Sequence, residues 1–403
     1  MTPLDLSKWR KVPLILTVVG AIGVLLGMLI PSQRDQFAFS WLTAFMFYLS
    51  LMLGGLFLVI SHHLFDANWS VPIRRINEHL ACLAPVFAIL FIPLAVMRHR
   101  IWDWMTMNPP DHALHAKHAL LNESGFFIVA IACFVIWTLV AWGLRSQSLA
   151  QDRTGSYVHT KRMRVWASIG VVLFALSLTM GAIMWIKALQ HQWFSTMFGV
   201  WFFAGSTWLT LATVYFITMT LKRMGPLREV VGQTQFYVIG SLLFAFTVFY
   251  AYVTFSQYFI IWNANIPEET FWYVLREKGS WYGISQLIIF GHFFIPFLLL
   301  LRIDFKLVFP LMAAITIWAW LMHYCDMQFN IMPAFEKRAD GFMLHWLDIA
   351  CMAFMGGLLA MIWIRWFFKY PPFPQKDPRI AETLGVYVEP VSATRAGAQT
   401  HPA

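Results

Sequence analysis

FAFSWLTAFMFYLSLMLGGLFLVIS, residues 37–61, contains no charged side chain. A hydrocarbon core about 30 Å thick is crossed by about 20 apolar residues in a helix, so this stretch reads as a span. Its ends are marked by Arg34 and Asp35 on one side and by His62, His63 and Asp66 on the other. Working outward, nine further segments of the same kind follow near residues 12–30, 79–97, 121–144, 165–187, 195–221, 235–262, 281–303, 305–325 and 343–368. The fold class expected is an all-α membrane protein with ten transmembrane helices.

The polar connections fix the orientation. Taken on alternate sides, 20 of the 29 Lys and Arg fall on one side and 9 on the other. Basic connections stay cytoplasmic during insertion, so both termini are expected in the cytoplasm of a bacterial inner membrane. Residues 1–11 form a cytoplasmic N-terminus, 12–368 the transmembrane domain and 369–403 a cytoplasmic tail. The tail opens Tyr370-Pro-Pro-Phe-Pro374 and reads as a strap over the inner surface. The first segment follows Lys8, Arg10 and Lys11 and reads as a retained helix, not a cleaved leader.

Composition agrees. The chain is 59% hydrophobic and 12% charged, where a soluble domain carries about 25% charged residues. The net charge of +9 is topogenic and faces the inner leaflet, so nucleic acid is excluded as a partner and lipid is expected. Cys82, Cys133, Cys325 and Cys351 lie singly in apolar segments. They read as small buried side chains, since cluster ligation needs grouped thiolates. Many of the 20 tryptophans sit near segment ends, as in an aromatic belt. The second to fifth and sixth to ninth segments match in length and start side, which suggests two four-helix bundles flanked by the first and tenth.

Titratable groups at membrane depth are costly, so they are the candidates for chemistry. His292 is the deepest. It reads either as a histidine hydrogen-bonded to a neighbouring helix or as a mid-membrane proton relay. On the inner rim, His62, His63, Asp66, Arg74, Arg75, Glu78 and His79 read either as a solvated connection or as a proton entry. On the outer side, His323 and Asp326 are spaced i, i+3, as are His345 and Asp348, so each pair shares a helix face. Asp326 at a helix C-terminus is disfavoured by the dipole and implies a partner. A hydrogen-bonded clasp, a proton exit and a metal site are the alternatives there; the expectation taken forward is no metal. Tyr250 and Tyr252 supply hydroxyls between depths. His112, His115 and His118 precede Asn122 and Glu123; the group reads as facing a periplasmic partner or a quinone head group, with His118, Asn122 and Glu123 as the quinone-proximal candidates. The reading against them all is a solvated outer loop.

A bundle holding two stacked haems needs two histidines about four turns apart on each of two helices, and no segment has such a pair. Dinucleotide, phosphate-loop and Ser–His–Asp signatures are absent. The chain is therefore expected to bind no redox cofactor itself.

Four stretches carry a resemblance: Trp69-Ser-Val-Pro-Ile-Arg-Arg75 with Glu78; Leu121-Asn122 with Phe126-Phe127; Trp193-Phe-Ser-Thr-Met-Phe-Gly199; and Phe255-Ser-Gln-Tyr-Phe-Ile-Ile-Trp262 running on to Thr270. From about residue 12 to 368 the chain resembles the ActF family, the second NrfD-like membrane subunit of bacterial alternative complex III. The resemblance implies two four-helix bundles with two flanking helices. It implies a complex that oxidises menaquinol or ubiquinol and passes electrons to a periplasmic cytochrome c, a copper protein, or directly to an oxidase. Partner subunits would carry the cofactors: an iron–sulfur subunit (ActB) and c-type haem subunits (ActA, ActE). Small membrane subunits and the paralogous NrfD-like subunit (ActC) complete it, with ActC as the quinol site. This subunit would contribute structure and a proton pathway. The chain departs from the family pattern at Gln190, where a carboxylate is usual, at Asn263 for Tyr and at Gly125 for Pro.

Overall fold

A computed structural model describes residues 7–384 and 386; the start of the N-terminal segment and the end of the tail lie outside the described residues. The elements in order are α1 (Ser7–Leu29), α2 (Arg34–Phe65), α3 (Arg74–Ala81), α4 (Ala84–Leu90), α5 (Ile92–Val96), α6 (Arg98–Ile101), α7 (His112–Ala116), α8 (Glu123–Thr154) and α9 (Val158–Trp185). After these come α10 (Phe198–Met224), α11 (Gln233–Ala264), α12 (Pro267–Arg276), α13 (Trp281–Ile288), α14 (Ile295–Leu300), α15 (Ile303–Leu307), α16 (Phe309–Ile331) and α17 (Trp346–Lys369). No strand occurs among the described residues.

Nine helical stretches among the described residues are long and apolar enough to cross a membrane. The segment expected at 305–325 is helical, as α16, but is not one of the nine. Its second half carries His323, Asp326, Gln328 and Asn330, all buried. These polar groups lower its apolar character at the place where they gather. The segment expected at 79–97 is not one helix. Pro85 and Pro93 enter it, and it runs as α3, α4 and α5, joined through short turns. The segment expected at 281–303 is interrupted by a π-helical stretch at Ile289–Phe294.

Helix ends follow local chemistry. Asp66 (φ 53°) and Asn265 (φ 50°) close α2 and α11 in the left-handed region, and Gly155 (φ 71°) closes α8. Asn122 caps α8, its Oδ1 accepting from Gly125 N at 2.7 Å.

α2 and α10 form the centre. The most apolar window of α2 is 89% buried and that of α10 is 78%, against 17% for α1. α2 packs on α3, α9, α10, α16 and α17; α10 packs on α9, α11 and α16; α8 packs on α4 and α9; α13 packs on α16; α1 lies along α17. The α2–α10 crossing is close because Gly54 lacks a side chain. A Cβ there would stand 2.1 Å from Thr210 Oγ1 and 2.6 Å from Ser206 O. Small residues at such crossings let backbones approach within van der Waals contact.

The tryptophans divide. Trp9, Trp142, Trp262 and Trp346 are exposed, as a belt requires, but Trp102, Trp185, Trp193 and Trp281 are fully buried. The buried group fills the core instead: Trp185 stacks on Phe134 at 5.6 Å and packs edge-on against Phe45 and Trp137.

Candidate functional site

Most of the residues expected on the inner rim are buried, not solvated; Asp66 is half-buried. Arg74, Arg75 and Glu78 lie on α3, the two arginines four and three residues before the glutamate, and have relative exposures of 1%, 0% and 2%. Glu78 Oε1 accepts from Arg74 Nε at 3.1 Å and from Ser148 Oγ at 2.7 Å. Its Oε2 accepts from Arg75 Nη1 at 2.8 Å and from Arg145 Nη1 at 3.4 Å. Three guanidiniums and a hydroxyl thus surround one carboxylate. Arg75 also pairs with Asp152.

The network reaches the tail. Arg74 Nη1 donates to Asp377 Oδ2 at 2.6 Å and lies 2.9 Å from His62 Nε2. His62 Nδ1 is 2.7 Å from Ser70 Oγ. Asp66 takes Arg164 at 2.6 Å and also Arg379. Gln375 N donates to Asp152 Oδ1 at 3.0 Å, and Arg145 stands over the Tyr370 ring at 4.6 Å. Residues 370–384 therefore lie as a strap across this cluster. Burial opposes the charge on Asp377, but Arg74 beside it holds the carboxyl below its usual range.

His63 and His79 stand apart from these pairs. His63 Nε2 and both ring nitrogens of His79 have no hydrogen-bond partner. His79 turns away from Glu78 into an aromatic cage of Trp363, Phe367 and Tyr370 at 5.9–6.3 Å. Sequence spacing placed Glu78 and His79 together as one uptake group; their side chains point to different surroundings.

The deeper cluster brings together the π-helical stretch, α2, α10, α11 and α16. His292 sits within the π-helical stretch and is sandwiched between Trp208 (3.9 Å, 24°) and Tyr250 (3.7 Å, 18°). Gly291 makes this possible: a Cβ there would stand 2.3 Å from Met322 Sδ of α16. The bulge also frees the Gly291 carbonyl to accept from Trp318 Nε1 at 2.7 Å. His323 and Asp326 of α16 face the same point. One donor atom each of His292, His323 and Asp326 lie within 4.8 Å of one another, and all three residues are buried. His323 Nε2 bonds Ser50 Oγ of α2 at 2.9 Å, and Asp326 Oδ1 accepts from Asn330 Nδ2 at 3.2 Å. Both nitrogens of His292, Nδ1 of His323 and Oδ2 of Asp326 have no partner.

The outer group expected from sequence is not a unit. Asp348 belongs elsewhere: it accepts from Arg338 Nη1 at 3.0 Å, from Ser40 Oγ at 2.5 Å and from its own N-cap, His345 N, at 2.9 Å. His345 Nδ1 accepts from Leu347 N at 3.2 Å. These two residues cap α17, and their placement is structural. Asp326 instead meets His292, which spacing along the chain could not indicate. Tyr250 joins the deep cluster, while Tyr252 is 63% exposed.

In the connection before α8, His112, His115 and His118 are exposed. Asn122 is committed to capping, and Glu123 pairs on the surface with Arg98 at 3.5 Å and His99 at 3.2 Å. Asp111 caps α7 and takes His191 at 2.8 Å and Gln192 at 2.9 Å. The Gln192 bond first, then the Leu114 amide and His191, hold its carboxyl at about 2 despite some burial.

Arg276 was missed from sequence. It is 1% exposed and, among the described residues, pairs with no carboxylate. Its N–H groups reach Phe329 O at 2.9 Å and Asn330 O at 3.0 Å in the last turn of α16, Trp272 O at 2.9 Å and Gln190 Oε1 at 3.1 Å. A cation on the carbonyl end of a helix is favoured by the dipole. Gln190 is thus the side chain that meets Arg276. Arg145, Ser148 and Asp152 were also missed, although their i, i+3, i+7 spacing marks one helix face.

Comparison with known proteins returns no match: no family model fits the chain, and no curated protein aligns with it.

Proposed function

We propose that this chain is an integral membrane subunit of a quinol:electron-acceptor oxidoreductase of the alternative complex III type, with a proton pathway and no redox cofactor of its own. The four sequence stretches support the choice of complex. The observation that supports a proton role is the deep triad of His292, His323 and Asp326. Three titratable side chains meet across two helix groups with unpartnered nitrogens and a free carboxylate oxygen, and such groups at membrane depth mark ion and proton routes. In this reading α16 is the ninth of ten spans and both termini are cytoplasmic. The second to fifth and sixth to ninth spans form two four-helix groups, with α1 and α17 flanking.

The assembly comes first in the test. A tagged chain solubilised from its native membrane co-purifies with iron–sulfur and c-type haem subunits; isolation without them overturns the choice of complex. In proteoliposomes, His292→Phe and Asp326→Asn retain assembly and lower quinol-driven proton translocation by about tenfold or more, the scale of losing a positioned proton donor or acceptor. Unchanged translocation by assembled variants overturns the proton role.

A second reading, a structural anchor for the paralogous quinol-binding subunit, is favoured by the closed inner network around Glu78. A carboxylate held by three guanidiniums is placed for cohesion more than for exchange. Double replacement of His323 and Asp326 discriminates. Lost assembly supports the anchor; intact assembly with lost translocation supports the pathway.

A further inference from the structure

The deep triad also has the form of a metal centre, and the geometry points to His292, His323 and Asp326 as three ligands of a divalent transition ion of the zinc class. The argument begins with what is already satisfied. His323 is oriented by Ser50 through Nε2, which leaves Nδ1 unpartnered. Asp326 is oriented by Asn330 through Oδ1, which leaves Oδ2. His292 is held by stacking alone, with both nitrogens free. Each ligand thus has its position fixed by one group and a donor atom left over. For His323 and Asp326 this is the outer-shell arrangement that metal-binding histidines and carboxylates show.

The donor set agrees. Two imidazoles and one carboxylate are a standard three-residue set for zinc, with the fourth position open to water or substrate. The Tyr250 ring stacks on His292, and its hydroxyl lies beside Asp326. Asp326 supplies the negative charge a dication needs in a low-dielectric interior. The donors now lie within 4.8 Å of one another. Tetrahedral zinc sets its donors about 3.4 Å apart, so binding draws them inward by roughly an ångström. His292, which has no hydrogen bond to break, can supply most of that movement. The bulge places it where an unbroken α-helix would turn it off register, and such bulges occur often at functional sites.

The inference goes beyond the proton reading and does not depend on it, although an ion there would occupy the nitrogens a proton would use. It is tested without turnover. The full chain in its native assembly is purified without chelator or polyhistidine tag and incubated with zinc chloride. Excess ion is removed, and metal is counted by mass spectrometry. About one zinc per chain is expected, falling to background in His292→Phe and in Asp326→Asn. Cobalt in place of zinc, read by X-ray absorption at the cobalt edge so that haem bands of partner subunits do not interfere, is expected to show a four-coordinate site in the unaltered chain, a readout that needs no variant to fold. Zinc at background in the unaltered chain, zinc retained equally by both variants, or cobalt spectra of hexa-aquo type each overturn the proposal. None of these outcomes bears on proton translocation, so the two readings fail separately.

Discussion

At the scale of single residues, Glu78 shows how burial decides a role that spacing leaves open. Read from the chain, it is an acid beside a histidine on the inner rim. In the fold it is the shared anion of Arg74, Arg75 and Arg145, with Ser148 completing its shell. Glu78→Gln would leave three buried guanidiniums short of their counter-charge. Breaking a buried pair from one side costs about 3–5 kcal/mol. We expect the variant to melt at clearly lower temperature in detergent and to accumulate poorly in membranes. Thermal stability equal to the unaltered chain would remove the structural assignment. Sequence could name Glu78, His62 and Asp66 as a group because they are close along the chain. It could not name Arg145, Asp152 or Asp377, which arrive from other helices and from the tail. His292, His323 and Asp326 were each legible as deep polar residues. Their meeting was not, because it depends on a π bulge and on a glycine allowing two helices to touch.

At the scale of elements, the apolar runs told most of the story. Residues 37–61, 121–144, 165–187, 195–221 and 235–262 were expected as helices, and α2, α8, α9, α10 and α11 contain or closely overlap them. The exceptions have local causes: two prolines divide the third segment, and four polar residues enrich α16. The tightest joint is α2 on α10. Gly54→Ala would drive a methyl into Thr210 and the Ser206 carbonyl. Overpacking of this kind costs about 1–3 kcal/mol. The expected result is a lower melting temperature, with Gly54→Leu worse than Gly54→Ala; equal stability of all three would show that the crossing has room. The tail strap gives a pH prediction. Asp377 is held below its usual range in the folded chain, so its docking contributes fully above the carboxylate's unfolded value near 4. That contribution is lost as pH falls through the depressed folded value. Proteolysis at Lys376 and Arg379 should therefore be slow at neutral pH and accelerate only under acid conditions. Asp377→Asn should be cut faster at neutral pH, and an unchanged rate would mean that Arg74 does not hold the strap.

At the scale of the whole molecule, orientation rests on charge: 20 of 29 basic residues on one side. Single cysteines placed at Asn108 and at Gly155, both on exposed connections, should label from opposite faces. Gly155 is expected to react only after the inner face is opened. Cys133, Cys325 and Cys351 are buried and should stay silent. Labelling of both sites from one face would overturn the topology. The polar character of α16 has a further consequence for how the molecule is made. Alone in a bilayer, this helix would present His323 and Asp326 to hydrocarbon. Its shelter is α2, which supplies Ser50, and α10, against which it packs. Both are synthesised first. The chain is thus ordered so that the helix least able to remain in lipid by itself leaves the ribosome after the helices that receive it, and moving it to the front of the sequence would deprive it of its receptor at the moment of insertion.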